Sequence, residues 1–331
     1  LDQVVNITAP TKEGNSASYT ITKGDDYVGD DPVVGESSIT IPAGAYGSFS
    51  INTVWTLDTY TVTYAPGAYG EETQSTATKT YDVDLTLAGA IFTRTGYTQV
   101  GWATTDGGAK VYDLSTTYSA NAGITLYPVW EADTYTVSYN KGQYGAGEIA
   151  SQTKTYGEAL TLSSSTFTRE GYRQDGWSTS DGGAKIYDLG ASYTNNEAVT
   201  LYPHWVKQCV VTFASSNSEY GSVSSSGPIT VDEGTSVTVN GNSITIGTTT
   251  VTATPTTSTD DVEYSFTGWS VSTGSTISSS TEIVASFESE LTALGEAKQY
   301  AQAFINKMND LNIKVLISAS IDGKYCDIDR K

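Results

Sequence analysis

Gly96-Tyr97-Thr98-Gln99-Val100-Gly101-Trp102 returns, 75 residues later, as Gly171-Tyr172-Arg173-Gln174-Asp175-Gly176-Trp177. Working outward, the match runs without a gap from Asp58–Ala132 onto Asp133–Lys207, and roughly 40 of the 75 positions are identical. Trp130 falls on Trp205, Tyr60 on Tyr135, and Asp106-Gly107-Gly108-Ala109-Lys110 on Asp181-Gly182-Gly183-Ala184-Lys185. A fixed period of this kind marks one small unit used in tandem. It points to a stalk, an array or an assembly. It argues against an enzyme, which depends on one unique cleft.

Each repeat opens on strict alternation, Tyr60-Thr61-Val62-Thr63-Tyr64 and Tyr135-Thr136-Val137-Ser138-Tyr139. Period two with β-branched and aromatic residues predicts a half-buried strand. Glycine-bearing loops, the segments at Lys79-Thr80-Tyr81 and Leu85-Thr86-Leu87, and the Gly-Tyr and Gly-Trp pairs follow, each with its twin in the second copy. The repeats close on Thr125-Leu126-Tyr127-Pro128-Val129-Trp130 and Thr200-Leu201-Tyr202-Pro203-His204-Trp205. The proline predicts that this strand lies at a sheet edge or a bulge, because proline cannot donate to a ladder.

The ordered pattern Tyr-Thr-Val-x-Tyr, Gly-Tyr-x-x-x-Gly-Trp, Asp-Gly-Gly, Leu-Tyr-Pro-x-Trp resembles the Listeria–Bacteroides repeat, also called the internalin B-repeat, across residues 58–207. The resemblance implies a β-grasp-like module of secreted or surface-anchored microbial proteins, used as a spacer or adhesive element without catalysis.

The flanks are less regular. Residues 1–57 carry short alternating runs (Val4–Thr8, Ala17–Thr22, Ser38–Ile41, Ser48–Ile51) between Gly, Pro and Asp turns. They read as a distinct β module ending in a strand like that of the repeats, with Trp55 one period before Trp130. Residues 208–288 read as a divergent third repeat: Val210–Phe213 opens it, Gly268-Trp269 mirrors the Gly-Trp element, Glu282–Phe287 ends it, and 241–254 forms hairpin strands. In 289–331, Leu291, Leu294, Ala301, Ile305, Met308 and Leu311 make the apolar stripe of an amphipathic helix from Glu290 to Asn312. A strand is expected at Ile313–Ile317, and Asp322-Gly323 signals a hairpin turn toward Cys326. The chain therefore divides into 1–57, 58–132, 133–207, 208–288 and 289–331. The fold class is mostly β, tandem small modules with a C-terminal helix and β hairpin.

Composition narrows the function classes. The formal net charge is −20, from 17 basic and 37 acidic residues. A field of that sign repels nucleic acid and anionic membranes. No apolar run reaches the ~20 residues needed to span a bilayer, so direct membrane insertion is not expected. Modules near 75 residues bury modest cores, and 23 Tyr and 6 Trp supply the large side chains such cores need. Cys209 and Cys326 allow one disulfide across a long loop; the competing reading is two unpaired buried thiols.

Candidate chemistry is sparse. The single histidine, His204, has Val129 as its counterpart in the first repeat, which favours a structural role and leaves no catalytic residue to nominate. Asp25, Asp26, Asp30 and Asp31 are candidate Ca²⁺ ligands, set against the plainer reading of a solvated acidic loop. The Gly-Tyr and Gly-Trp aromatics are either sugar-stacking platforms or core residues beside a permissive glycine, with core favoured. Asn6-Ile7-Thr8 is an N-glycosylation triplet that chance also explains. Lys79 and Lys154 recur at matching positions; lysine–asparagine crosslinks occur in some surface β modules, though no motif demands one here.

Three functional readings are carried forward. The first is a non-enzymatic extracellular surface protein, a stalk or adhesin whose partner is a host or cell-surface glycan or protein. The second is a self-assembling subunit of an extracellular filament, pilus or surface layer, binding copies of itself. The third, with least support, is a carbohydrate-binding protein. No cofactor beyond Ca²⁺ is suggested.

Overall fold

The computed structural model describes residues 1–8, 10–311, 313, 318–321 and 324–327, the last two segments as backbone only. The described residues are mostly β, with one helix, Ala293–Asp310, among them. It divides into two compact units: 1–136 with 153–160 and 194–197, and the remainder.

The first unit holds the first repeat whole. Its strands are the opening strand Thr59–Tyr64, the second strand Ser75–Thr80, the third strand Tyr97–Ala103 and the closing strand Ile124–Ala132. They form one sheet in the order second, opening, closing, third. Opening and second strands pair antiparallel, Thr59 facing Thr80. Closing and opening strands pair parallel at the sheet centre, Ile124 facing Val62. The third strand runs antiparallel to the closing strand, with a register shift between Val129 and Trp130.

The closing strand is therefore interior, so Pro128 is not at an edge; it stands instead beside the register shift between Val129 and Trp130, the irregularity that was the other expected setting. It is tolerated because the parallel ladder ends at Leu126 opposite Tyr64, two residues earlier, so no N–H is needed on that side. One face of the sheet is covered by Val62, Tyr64, Leu87, Phe92, Trp102, Tyr118 and Leu126, all buried. Trp102 is fully buried, packs on Tyr64 at 4.8 Å between ring centroids, and donates its indole N–H to the Ala88 carbonyl. The buried Gln99 carbonyl oxygen accepts the Phe92 amide at 3.1 Å, so the polar atom in the core is satisfied.

Residues 1–57, in the same unit, are less distinct from the repeats than their sequence suggests. Strands Asn15–Lys23 and Phe49–Leu57 pair antiparallel, Ala17 facing Trp55, as the third and closing strands of a repeat do. The bridge Lys12–Asn15 matches Arg94–Tyr97 and Arg169–Tyr172. A small sheet of Gln3–Asn6, Ser38–Ile41 and Val33–Val34 completes the region.

In the second unit, Val137–Tyr139 pairs parallel with Val199–Leu201, and Tyr172–Ser178 pairs antiparallel with the same long strand, Val199–Ser215. Trp177 is buried against Tyr139 and Phe167, as Trp102 is against Tyr64 and Phe92. The long strand continues into residues 208–288, where it pairs antiparallel with Ile229–Asp232 and parallel with Thr281–Leu291. Val262–Trp269 borders the latter, antiparallel. The strand order of the repeat thus recurs in the divergent segment. An inserted four-stranded sheet includes the expected hairpin, Ser243–Ile246 with Thr249–Pro255.

The helix runs Ala293–Asp310, three residues inside its expected start, because Thr292 caps it by accepting the Gly295 amide at 3.0 Å. Of the expected stripe, Ala301 and Ile305 are buried, whereas Leu291 and Leu311 are exposed. The hairpin pairs Ser318–Ile321 with Lys324–Asp327, flanking the expected turn. Residues 314–317 of the strand expected at Ile313–Ile317, the turn residues Asp322 and Gly323, and the side chain of Cys326 lie outside the described residues, and Ile313 itself is exposed and not in a strand.

Candidate functional site

The feature built three times in this chain is the junction between successive modules. No linker intervenes. A single residue, Asp58 or Asp133, separates the end of one closing strand from the next opening strand, and Gln208 lies within a continuous strand. Each of these residues donates its backbone N–H to a glycine carbonyl of the preceding module: Asp58 to Gly14 at 2.9 Å, Asp133 to Gly96 at 3.0 Å, Gln208 to Gly171 at 2.8 Å. The carbonyls of Asp58 and Asp133 in turn accept the amides of Tyr81 and Tyr156. Side chains repeat the theme: Ser16 donates to Asp58 at 2.6 Å and Thr98 to Asp133 at 2.8 Å.

The glycines are there for a steric reason. Gly14 and Gly96 have φ of +66° and +74°, and a Cβ on either would lie 2.3 Å from the ring of Tyr81 or Tyr156. The tyrosine of one module lies flat over the turn of the module before it, and only glycine admits both the backbone conformation and the ring. Tyr156 also meets Tyr97 edge-on at 5.7 Å.

At the third junction no tyrosine covers Gly171, and no atom lies within 4 Å of a Cβ built there. An ion pair takes over: Arg173, in the place of Thr98, reaches Asp232 at 2.6 Å, and Gln208 also donates to that carboxylate. The Arg173 hydrogen bond is the main reason the Asp232 carboxyl is held below its usual range.

The turns are clamped by cations over aromatic rings. Arg94 lies 3.6 Å from the Tyr97 ring centroid and 4.2 Å from that of Tyr69; Arg169 lies 3.6 Å from Tyr172 and 4.6 Å from Tyr144. In the first module Lys12 takes the same place, over Trp55. The Gly-Tyr aromatics are therefore covered by arginine, and the Gly-Trp indoles are in the core.

The remaining candidates separate. Asp106 and Asp181 accept the amides of Ala68 and Gln143 at 2.8 Å, tying the loop after each opening strand to the Asp-Gly-Gly turn. Asp31 pairs with Lys23, and Asp26 accepts the Ser48 hydroxyl, which holds its carboxyl below the usual range. Among the described residues no three His, Cys, Asp or Glu side chains form a metal-binding group, so Asp25, Asp26, Asp30 and Asp31 are not gathered as Ca²⁺ ligands. Cys209 is buried in the core around Val211, Phe213 and Ile283.

His204 Nδ1 lies 2.6 Å from Asp175, whose other oxygen meets Lys185 at 3.3 Å. Burial opposes ionisation of Asp175, yet the bonds from His204 and Lys185 outweigh it and hold the carboxyl below its usual range. The first repeat has Val100 and Val129 at these two positions, so the polar pair substitutes for an apolar one.

Sequence reasoning missed the junction. Its signals were Lys12-x-Gly14 beside Arg94-x-Gly96, and Tyr81 and Tyr156 at one period.

A family comparison matches the Listeria–Bacteroides repeat domain to residues 60–129 and 135–204. Two proteins of Evansella cellulosilytica are also similar. One, named "Putative Gly-rich membrane protein", is 32% identical over 123 residues, 34% of this chain and 14% of the relative. The other, named "Putative membrane protein", is 29% identical over 114 residues, 33% of this chain and 17% of the relative. The matched stretch spans less than a fifth of either relative's length. Among the described residues no helix is long and apolar enough to cross a membrane. Residues 60–129 and 135–204 are two tandem copies of the Listeria–Bacteroides repeat domain.

Proposed function

We propose that the chain is a non-enzymatic, extracellular part of a microbial cell-surface protein, acting as a stalk or adhesive array. The observation that carries this reading is the module junction, made three times without a linker and each time with a backbone N–H donated to a glycine carbonyl of the preceding module. Chains built to hold position and reach benefit from such joints, whereas catalysis gains nothing from them. The names of the Evansella relatives support a membrane-associated setting. A β-grasp-like module is the reading supported by the mixed sheet in the order second, opening, closing, third, with the parallel pair at its centre. Each repeat adds a separate short ladder to that sheet, Leu85–Thr86 with Thr117–Tyr118 in the first repeat.

Self-assembly into a filament or surface layer is the second reading. It is favoured by Gln3–Asn6, an exposed strand at a sheet edge with unpaired backbone on one side. Mass measurement and negative-stain imaging of purified protein separate the two. Monomeric particles are expected; fibres or sheets would replace the stalk reading with assembly. A glycan panel tests the third reading, and binding lost on changing Tyr69 and Tyr144 would support it.

A further inference from the structure

We infer that the first repeat makes an intramolecular amide crosslink between Lys79 and Asn121. Lys79 is fully buried on the second strand, an unusual place for an amine. Its Nζ donates to the Thr80 carbonyl at 2.7 Å and to Asn121 Oδ1 at 3.0 Å. The same Oδ1 accepts the Asp82 backbone amide at 2.8 Å, so two donors polarise the carbonyl. The leaving nitrogen is held as well: Asn121 Nδ2 donates to Asp82 Oδ1 at 2.7 Å. The Asn121 carboxamide is thus held between the Lys79 amine at its oxygen and the Asp82 carboxylate at its nitrogen, a geometry that replaces a bimolecular encounter with a local step.

Comparison of the repeats adds a second observation. Lys154 and Asn196 reproduce the contact at 2.9 Å, but the residue matching Asp82 is Gly157, with φ of +75°. Asp82 occupies the same left-handed backbone, at φ 54°. Glycine is the strain-free residue there, and the first repeat keeps a carboxylate instead.

The reaction is a transamidation. The lone pair of the deprotonated Nζ forms a bond to Asn121 Cγ, and the Cγ–Nδ2 bond breaks. Nζ sheds one proton to solvent as the bond forms, and Nδ2 takes up one through the Asp82 carboxylate bonded to it and leaves as ammonia. No oxidant or co-reactant is consumed. Asp82 is exposed while Lys79 is buried, so the ammonia is released at the solvent rim.

The test is the intact mass of the folded protein after incubation at neutral pH, followed by denaturation, trypsin digestion and fragment sequencing. The expected mass is the sequence mass less one ammonia, with no cleavage after Lys79 and the Lys79 peptide joined to the Asn121 peptide. Asp82→Gly, which copies the second repeat and suits the backbone, is expected to keep its native circular dichroism and the full sequence mass. A full-mass wild-type protein would overturn the inference, as would an ammonia loss mapped to another asparagine. Crosslinking undiminished in Asp82→Gly, or an equal crosslink at Lys154–Asn196, would overturn the role given to Asp82.

Discussion

At the scale of single residues, the two Gly-Tyr turns look alike in sequence and differ in what lies above them. Gly96 and Gly171 both have positive φ, but only Gly96 is roofed by a ring. Gly171→Ala is expected to cost about 1 kcal/mol, the backbone strain alone. Gly96→Ala is expected to cost about 2–3 kcal/mol, because the Tyr156 ring must also move. Denaturant unfolding of both variants checks the difference.

Asp175 offers a test by pH. Its carboxyl titrates below the usual range in the folded state, so its contribution to stability is present above the unfolded value, about pH 4. That contribution is lost as pH falls through the folded value. Asp175→Asn is therefore expected to be less stable than wild type at neutral pH, with the gap closing as pH falls below the unfolded value. A stability gap that stays constant across the range would contradict this. Sequence placed Trp102 and Trp177 in the core correctly, because a large indole beside glycine has few other uses. It gave no sign that Arg94 and Arg169 would cover the neighbouring tyrosines, since a cation–ring contact depends on how two loops fold together.

At the scale of elements, the strands of the repeats were legible from alternation, and the helix from its stripe. The position of the closing strand was not. Pro128 suggested an edge or a bulge: the strand is interior, the ladder to the third strand shifts register just after the proline, between Val129 and Trp130, and the parallel ladder on the other side has already ended at Leu126. The kinship of residues 1–57 was hidden by spacing: Trp55 follows Gly14 by 41 residues, whereas Trp130 follows Gly96 by 34. The extra length falls between the paired strands, where insertion is cheap. At the helix start, Thr292→Ala removes the side-chain acceptor for the Gly295 amide and is expected to cost about 1 kcal/mol, read by hydrogen exchange across Ala293–Asp310.

For the molecule as a whole, the period that defines the repeat also defines its joints. Residues retained between copies include those that fill the core, such as Trp102 and Leu126, those that tie loops within a module, such as Asp106, and those at the first two junctions, such as Gly96 and Tyr156. Successive modules are held by backbone bonds continuous with their sheets. This claim is tested most directly by amide hydrogen exchange at Asp58 and Asp133, which separate flexible connections from fixed ones. Both amides, bonded to Gly14 and Gly96, are expected to exchange as slowly as those of the flanking strands. Rapid exchange there, with the strands on either side still protected, would show the junctions to be flexible linkers and contradict the claim.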